Sequence, residues 1–142
     1  MIRTIIQKLG TGKTVAEKKR KIPLQKTNKK TSGDRAENLA LNYLKQRKFK
    51  LEQRNFNCRY GEIDLIMWDQ NYLVFVEVRY RSSTDYGGPL ESIDNVKQAK
   101  LRRAAEFYLI QTKRTDCACR FDILCLKGNL NKPDYQWIAN AF

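Results

Sequence analysis

The sequence predicts a mixed α/β domain in which helices pack on a small central sheet. Two observations lead to this prediction. Apolar residues recur at helical spacing in two stretches, and stretches with the apolar or alternating pattern of strands lie between and after them. The predicted order is helix, three strands, helix, strand, which suits helices that cover a sheet. With 142 residues, the chain has the length of one ordinary domain.

The first predicted helix begins at Asp34, in DRAENLALNYLKQRKF, and opens a domain over residues 34–142. Residues 1–33 precede it and are predicted to be a flexible basic arm that ends in a linker, KTNKKTSG. The arm holds ten Lys or Arg residues and one acid, so its net charge is +9 out of +13 for the chain. Such an arm suits an anionic polymer, and a merely solvated tail is the alternative.

The remaining elements follow from apolar periodicity and turn residues. KLEQRNF alternates weakly and is predicted as an edge strand, and GEIDLIMWDQNYLVFVEVRYR is predicted as a hairpin. SSTDYGGPLES is a predicted loop because it holds two glycines and a proline. Ser92 or Asp94 can cap the second helix, DNVKQAKLRRAAEFYLIQ. CRFDILCL is a further predicted strand, and YQWIANAF is a last strand or turn.

Composition excludes several classes of protein. The chain has no histidine, which removes Ser-His-Asp and Cys-His nucleophiles, histidine-zinc sites and nucleases with a histidine base. No apolar run is long enough to span a membrane, and no membrane partner is expected. The four cysteines form no CxxC pair, which argues against a zinc ribbon. Three of them flank or enter a predicted strand, where a free cysteine is usually a small core residue, and a reducing cytoplasm fits best. The four are Cys58, Cys117, Cys119 and Cys125.

The predicted hairpin carries one acid in each of its apolar arms. If the turn is Gln70 and Asn71, Asp64 lies opposite Glu77, with Cβ atoms about 5 Å apart. The same register places Glu62 opposite Arg79, whereas a three-residue turn would put the acids on opposite faces. Two converging carboxylates repel, and they can supply oxygen ligands to Mg²⁺. The alternative is neutralisation by Arg79 in a structural ion pair.

Both helices add charged residues on the side that faces the core. Glu37 lies in line with Leu41 and Leu44 of the first helix, and Lys97 lies in line with Leu101 of the second. A glutamate, two strand acids, an arginine and a lysine would then form one charged cluster. Lys100, Arg102 and Arg103 point more towards solvent, where they form either a phosphate-contact face or a solvated one.

The motifs, taken together, resemble a known family. Asp64 followed by Glu77-Val78-Arg79 is similar to the PD-(D/E)xK nuclease pattern, with Arg79 where lysine is usual. GEIDLIMWD, LVFVEVRYRSS, YGGPLESI, KQAKLRRAAEFYL, RFDILCL and WIANAF, in this order, resemble the YraN family. These small bacterial proteins are described as endonuclease-like and distantly similar to archaeal Holliday-junction resolvases. The resemblance implies a restriction-endonuclease-like fold with an α-β-β-β-α-β core.

The resemblance also implies roles for the cluster. Asp64 and Glu77 are the implied ligands of Mg²⁺ or Mn²⁺, with the Val78 carbonyl as a further one. Glu37 is implied as an auxiliary ligand or base-positioning group, and Arg79 takes the motif's lysine position. Arginine cannot handle a proton as lysine does, so we expect Lys97 to supply the missing ammonium. The expected nucleic-acid contacts are Arg81, Lys100, Arg102 and Arg103.

The expected function is metal-dependent hydrolysis of DNA, structure-selective at branched or junction-like sites. DNA is expected rather than RNA, and a homodimer would supply the two sites that two strands need. The rival is a nucleic-acid-binding protein that kept the nuclease fold without turnover, which the Lys-to-Arg change favours. A third interpretation, an RNA- or ribosome-associated accessory protein, depends on the basic arm alone.

Overall fold

Five strands form one mixed sheet, with a helix on each of its faces. The computed structural model describes residues 27–83 and 93–142. The strands follow one another across the sheet in sequence order, β1 to β5. The elements are α1 (Thr27–Gln46), β1 (Lys50–Cys58), β2 (Gly61–Asp69), β3 (Tyr72–Arg81), α2 (Asn95–Gln111), β4 (Cys119–Lys127) and β5 (Asp134–Ile138).

This architecture confirms the predicted fold class and the order of its core elements. β1, β2 and β3 form an antiparallel meander, α2 crosses over, and β4 then runs parallel to β3. β5 adds an antiparallel edge beside β4, so the last predicted segment is a strand. β1 is the edge strand at the other side of the sheet, as its weak alternation predicted. Asp94 caps α2 by accepting a hydrogen bond from the backbone N–H of Lys97 at 2.7 Å.

The first helix begins earlier than the sequence predicted. It starts at Thr27 rather than Asp34, so residues 27–33 are helical and the predicted linker is wrong there. The pattern failed because this stretch has no apolar stripe and includes Gly33, which costs about 1 kcal/mol relative to alanine inside a helix. Extra turns nevertheless propagate cheaply from a helix that its packed part has already nucleated. Residues 1–26 of the predicted arm and residues 84–92 of the predicted loop lie outside the described residues.

Two apolar cores lie on opposite faces of the sheet because successive strand residues point to opposite sides. On β3, Val74 and Val76 pack with Leu44 of α1, whereas Leu73 and Phe75 pack with residues of α2. The face of α2 that enters the core consists of Leu101, Ala104, Ala105 and Tyr108. The two helices therefore cover both faces, and the β2–β3 hairpin is the buried centre of the molecule.

The hairpin register is confirmed over most of its length. Asp69 pairs with Tyr72 across the turn at Gln70 and Asn71, and the ladder continues to Leu65 opposite Val76. There it ends, so the predicted Glu62–Arg79 pair does not form. Beyond Leu65 the alternation of β2 also breaks, because Leu65 packs towards α1 while Ile63 packs towards α2. The break falls at Asp64.

A buried ion network joins β4 to the C-terminal segment. Asp122 is fully buried and accepts hydrogen bonds from Arg120, from Trp137 Nε1 at 3.0 Å and from the backbone N–H of Asn140 at 3.0 Å. Arg120 also donates to Asp69 at 2.8 Å, at the far end of β2. A carboxylate with this many donors is satisfied, so we assign it a structural role.

The described helices include none that is long and apolar enough to cross a membrane. All four cysteines carry free thiols. Cys125 is buried in the sheet, as expected of a core residue, whereas Cys119 is exposed.

Candidate functional site

Asp64 occupies the break in β2, and this break changes what its carboxylate contacts. The β1–β2 ladder pairs Arg54 with Leu65 and Phe56 with Ile63, and it skips Asn55 and Asp64 between them. Asn55 has a positive φ of 48°, which is a turn-like conformation inside a strand. Released from the regular pleat, the Asp64 carboxylate accepts a hydrogen bond from the backbone N–H of Val78 at 2.8 Å. The contact with β3 is therefore made by a side chain rather than by a ladder pair.

Glu77 lies beside Asp64, and two cations pair with one of its oxygens. Glu77 is 5% exposed, and its Oε1 lies 3.5 Å from Lys97 Nζ and 3.3 Å from Arg79 Nε. The other oxygen, Oε2, is buried and has no hydrogen-bond partner in the described part of the chain. Lys97 reaches Glu77 because it lies one helical turn before Leu101 on the core side of α2, as its spacing predicted.

The Arg79 contact does not have the geometry of a settled structural ion pair. A structural arginine–carboxylate pair is usually bidentate, with two parallel hydrogen bonds. Here the buried Arg79 Nε makes no hydrogen bond within residues 27–83 and 93–142, in spite of its short distance to Glu77. Buried polar groups without partners are costly, and they call for a ligand or a functional explanation. The alternative, in which Arg79 simply neutralises Glu77, therefore does not explain why Glu77 Oε2 and Arg79 Nε are buried without a hydrogen bond among the described residues.

The electrostatics of the pair favour an added cation. Burial first, and then the negative charge of Glu77, raise the pKa of Asp64 to about 8 against the opposing hydrogen bond from the Val78 N–H. A carboxyl group with this pKa is largely protonated at neutral pH unless positive charge is added beside it. The positive charges of Lys97 and Arg79 are close to the Asp64–Glu77 pair, but they are not enough to keep Asp64 ionised at neutral pH.

Glu37 approaches the same site from α1. It faces the core side, as predicted, and its Oε2 lies 3.8 Å from Arg54 Nη2 of β1. Burial raises the pKa of Glu37, while a hydrogen bond with Asn55 and the charge of Arg54 lower it. The charge of Glu37 also contributes to the raised pKa of Asp64, which places the two acids in one electrostatic cluster. All five residues predicted for catalysis therefore lie around one point of the fold.

The residues present fit a hard divalent cation. The partly buried carboxylate of Asp64 and the buried carboxylate of Glu77, whose Oε2 has no hydrogen-bond partner among the described residues, supply the oxygen ligands that Mg²⁺ prefers. The part of the chain that the structure describes has no group of three or more Asp, Glu, Cys or His side chains placed to hold a metal. Mg²⁺ sites commonly use one or two carboxylates together with waters and substrate phosphates, so a two-carboxylate site is sufficient.

The four predicted nucleic-acid contacts do not form one surface. Lys100 and Arg103 lie on the flank of α2 that faces the β1–β2 turn, where the Cβ of Lys100 is close to Gly61. Arg102 lies on the opposite flank, 5.4 Å above the ring of Phe142. Arg81 ends β3, next to the end of the parallel strand β4. The single phosphate-contact face expected on α2 is therefore divided between two flanks.

Sequence reasoning missed cations that neighbouring strands bring to the site. Arg54 of β1 pairs with Glu37, and Lys127 lies opposite Arg81 in the parallel β3–β4 register. Arg79, Arg81 and Lys127 all act on the Cys125 thiol, whose pKa burial raises and these charges lower. No sequence signal predicted Lys127, because a parallel register depends on the crossover and not on local pattern.

Comparison with known proteins identifies relatives along most of the chain. Residues 36–126 match the model of the uncharacterised protein family UPF0102. A UPF0102 protein of Psychromonas ingrahamii is 46% identical over 119 residues, which cover 84% of this chain and 93% of the relative. A UPF0102 protein of Nitrosospira multiformis is 48% identical over 110 residues, which cover 78% of this chain and 91% of the relative.

Proposed function

The chain belongs to the UPF0102 family, which is the YraN family, and on this premise we propose that it is a metal-dependent nuclease. The proposed reaction is hydrolysis of DNA phosphodiester bonds at branched or junction-like sites. The observation that carries the proposal is the pair formed by the partly buried Asp64 and the buried Glu77, in which Glu77 Oε2 has no partner among the described residues and the pKa of Asp64 is about 8. Such a cluster suits cation binding and phosphoryl chemistry.

Asp64 and Glu77 would hold Mg²⁺ or Mn²⁺, with the Val78 carbonyl as a further ligand. When bound, the cation supplies Lewis acidity at the phosphate. The Val78 N–H orients the Asp64 carboxylate, and the opening in the β2–β3 ladder allows that side chain to turn towards β3. The Asp64 carboxylate is therefore already oriented in the absence of a ligand.

The surrounding cations would hold the substrate and stabilise charge. Lys97 and Arg79 lie within 3.5 Å of Glu77 and are about one-third exposed, so both can reach a phosphate at the surface. Arginine side chains do not act as proton donors or acceptors in catalysis, so the role left for Arg79 is to clamp a phosphate. Lys97 or Glu37 is then the group that orients the attacking water. Arg81 would extend the backbone contacts, which position DNA without reading its sequence.

The proposal is tested by cleavage of matched DNA substrates in Mg²⁺ or Mn²⁺. The wild type, Asp64→Asn and Glu77→Gln are compared on junction, flapped and linear duplexes of equal length. We expect the wild type to cut and both variants to lose at least a hundredfold in rate while still binding. Glu62→Gln is the control, because Glu62 is an exposed acid on the same strand. Equal cutting by the wild type and by Asp64→Asn would refute the assigned site.

One observation favours a second candidate, a nucleic-acid-binding protein without turnover. Arg79 and Lys97 both pair with Glu77, so the carboxylate is partly neutralised without a metal. In that case no form of the protein cuts any substrate, and both binding and folding are insensitive to Mg²⁺. A homodimer, which cutting of both strands at a junction would require, is tested by sedimentation of the protein with and without junction DNA.

A further inference from the structure

A surface cavity lies outside the acidic cluster, on the flank of α2 that carries Lys100. It has a volume of about 470 Å³, within the range of cavities that hold small organic groups. We call it the hairpin groove, because the β1–β2 turn forms one wall and α2 forms the other. Its lining residues are Arg59, Tyr60, Arg103, Glu106, Phe107 and Ile110.

Two aromatic rings form the apolar part of the groove. Tyr60 and Phe107 lie with their ring centres 6.0 Å apart and their planes at 63°, and Phe56 supports Phe107 from the core. Both rings are partly exposed. A partly exposed ring pair held rigidly from behind is a stacking platform, and every nucleobase has a face that can stack on one.

The charged residues of the groove favour a base in its interior and phosphates at its rim. The guanidinium of Arg59 lies 4.8 Å from the Tyr60 ring centre and donates to the Tyr60 hydroxyl at 2.6 Å, so it is held at the rim. Arg103 is an exposed cation on the opposite wall. Glu106 adds a carboxylate, which repels a phosphate from the interior but can accept hydrogen bonds from the amino group of a base. A flat, uncharged ring therefore fits inside, with phosphates at the two arginines.

A row of cations connects the groove to the acidic cluster. Lys97, Lys100 and Arg103 follow one another at intervals of three along α2, so each side chain lies beside the next in a row that winds from the core side of the helix to the groove. Lys97 contacts Glu77, and Arg103 lines the groove. Six residues of helix span about 9 Å, which is two to three nucleotide steps at about 3.4 Å each along a stacked strand.

We propose that the hairpin groove binds one unpaired nucleobase, two to three nucleotides from the phosphate that Arg79 and Lys97 hold beside the Asp64–Glu77 pair. This inference rests on the proposed function and extends it, because it assigns the preference for branched DNA to a residue set. A continuous duplex cannot offer a base to the groove without unpairing it, whereas a fork or junction can. Selectivity then comes from stacking rather than from base sequence.

The test measures binding of a fluorescein-labelled forked DNA by anisotropy in EDTA, so that no cutting occurs. Each unpaired position is replaced in turn by an abasic site, which keeps the phosphate and removes the base. We expect about tenfold weaker binding at one position near the fork, as for the loss of one stacked base. Tyr60→Ala should abolish this sensitivity, and Tyr60→Phe should keep it. Because the DNA is altered as well as the protein, the result does not depend on a variant that folds.

A matched arginine provides the control. Arg47, directly after α1, lies over the ring of Tyr43 on the other face of the sheet, so Arg47→Ala removes the same charge and the same type of stack as Arg59→Ala. We expect Arg59→Ala to weaken fork binding several-fold more than Arg47→Ala. If abasic sites change nothing at any position, the groove is not a base site, while the nuclease proposal stands. Binding that depends on the base, without any cutting in Mg²⁺, would support the base site and refute the nuclease proposal.

Discussion

Replacing Asp64 by asparagine should stabilise the metal-free protein at alkaline pH, although it removes the residue assigned to metal binding. Asparagine resembles the protonated form of Asp64, and its side-chain oxygen can still accept the hydrogen bond that the Val78 N–H donates. In the wild type, burial and the charge of Glu77 raise the pKa of Asp64 to about 8. The folded state therefore resists an ionisation that the unfolded chain undergoes freely.

The sign and size of the effect follow from proton linkage. The pKa of Asp64 is higher in the folded state than its ordinary value of 3.8, so its contribution to stability is complete below about pH 4 and is lost as the pH rises to about 8. The free energy of unfolding falls by about 1.4 kcal/mol for each pH unit in this window. The limit is about 6 kcal/mol for the whole window, and access of solvent to the carboxyl reduces the expected change to a few kcal/mol.

Urea unfolding of the wild type and Asp64→Asn between pH 4 and pH 9 in EDTA measures this difference. The gap between the two proteins should widen in favour of the variant as the pH rises, and it should level off above about pH 8. Glu62→Gln removes an exposed acid on the same strand, whose charge contributes only weakly to the raised pKa of Asp64, so this variant should show a much smaller trend. A gap that stays constant with pH would show that Asp64 is ionised at neutral pH in the folded protein, and the electrostatic argument for a cation site would fail.

Three further predictions concern the metal, the buried network and the N-terminal arm. Addition of Mn²⁺ at pH 8 should raise the unfolding temperature of the wild type but not that of Asp64→Asn or Glu77→Gln, because a ligand stabilises only the state that binds it; an equal rise in all three proteins would place the ion elsewhere. Asp122→Ala should lower the free energy of unfolding by about 3–5 kcal/mol, since it leaves Arg120 and Trp137 without their buried acceptor. Asp69→Ala removes only a partly exposed contact of Arg120 and should cost about 1 kcal/mol or less in urea unfolding, so equal losses in the two variants would contradict the network. Deletion of residues 1–26, which keeps α1 whole, should flatten the salt dependence of DNA binding if the arm contacts phosphates, and an unchanged slope would exclude the arm from the interface.

Local pattern was sufficient to predict most elements and the central hairpin. The two helical stripes, the alternation of β4 and the turn at Gln70 and Asn71 all depend on neighbours within a few residues, and the structure confirms each of them. The core-side position of Lys97 followed from helical periodicity alone, and its contact with Glu77 confirms it. Local reasoning failed at the start of α1, where helix extends beyond its apolar stripe.

The sequence alone determined which charged residues face the core, because side-chain periodicity is a property of each helix or strand. What those residues contact depended on tertiary structure. The break at Asp64 arises where β1, β2 and β3 meet, and it replaces the expected pairing of two acids by a hydrogen bond from Val78 to Asp64. The parallel pairing of β3 with β4 brings Lys127 beside Arg81, and the packing of α2 against the β1–β2 turn creates the hairpin groove. These contacts join residues far apart in sequence, and their geometry is set by packing and crossover, which no local pattern encodes.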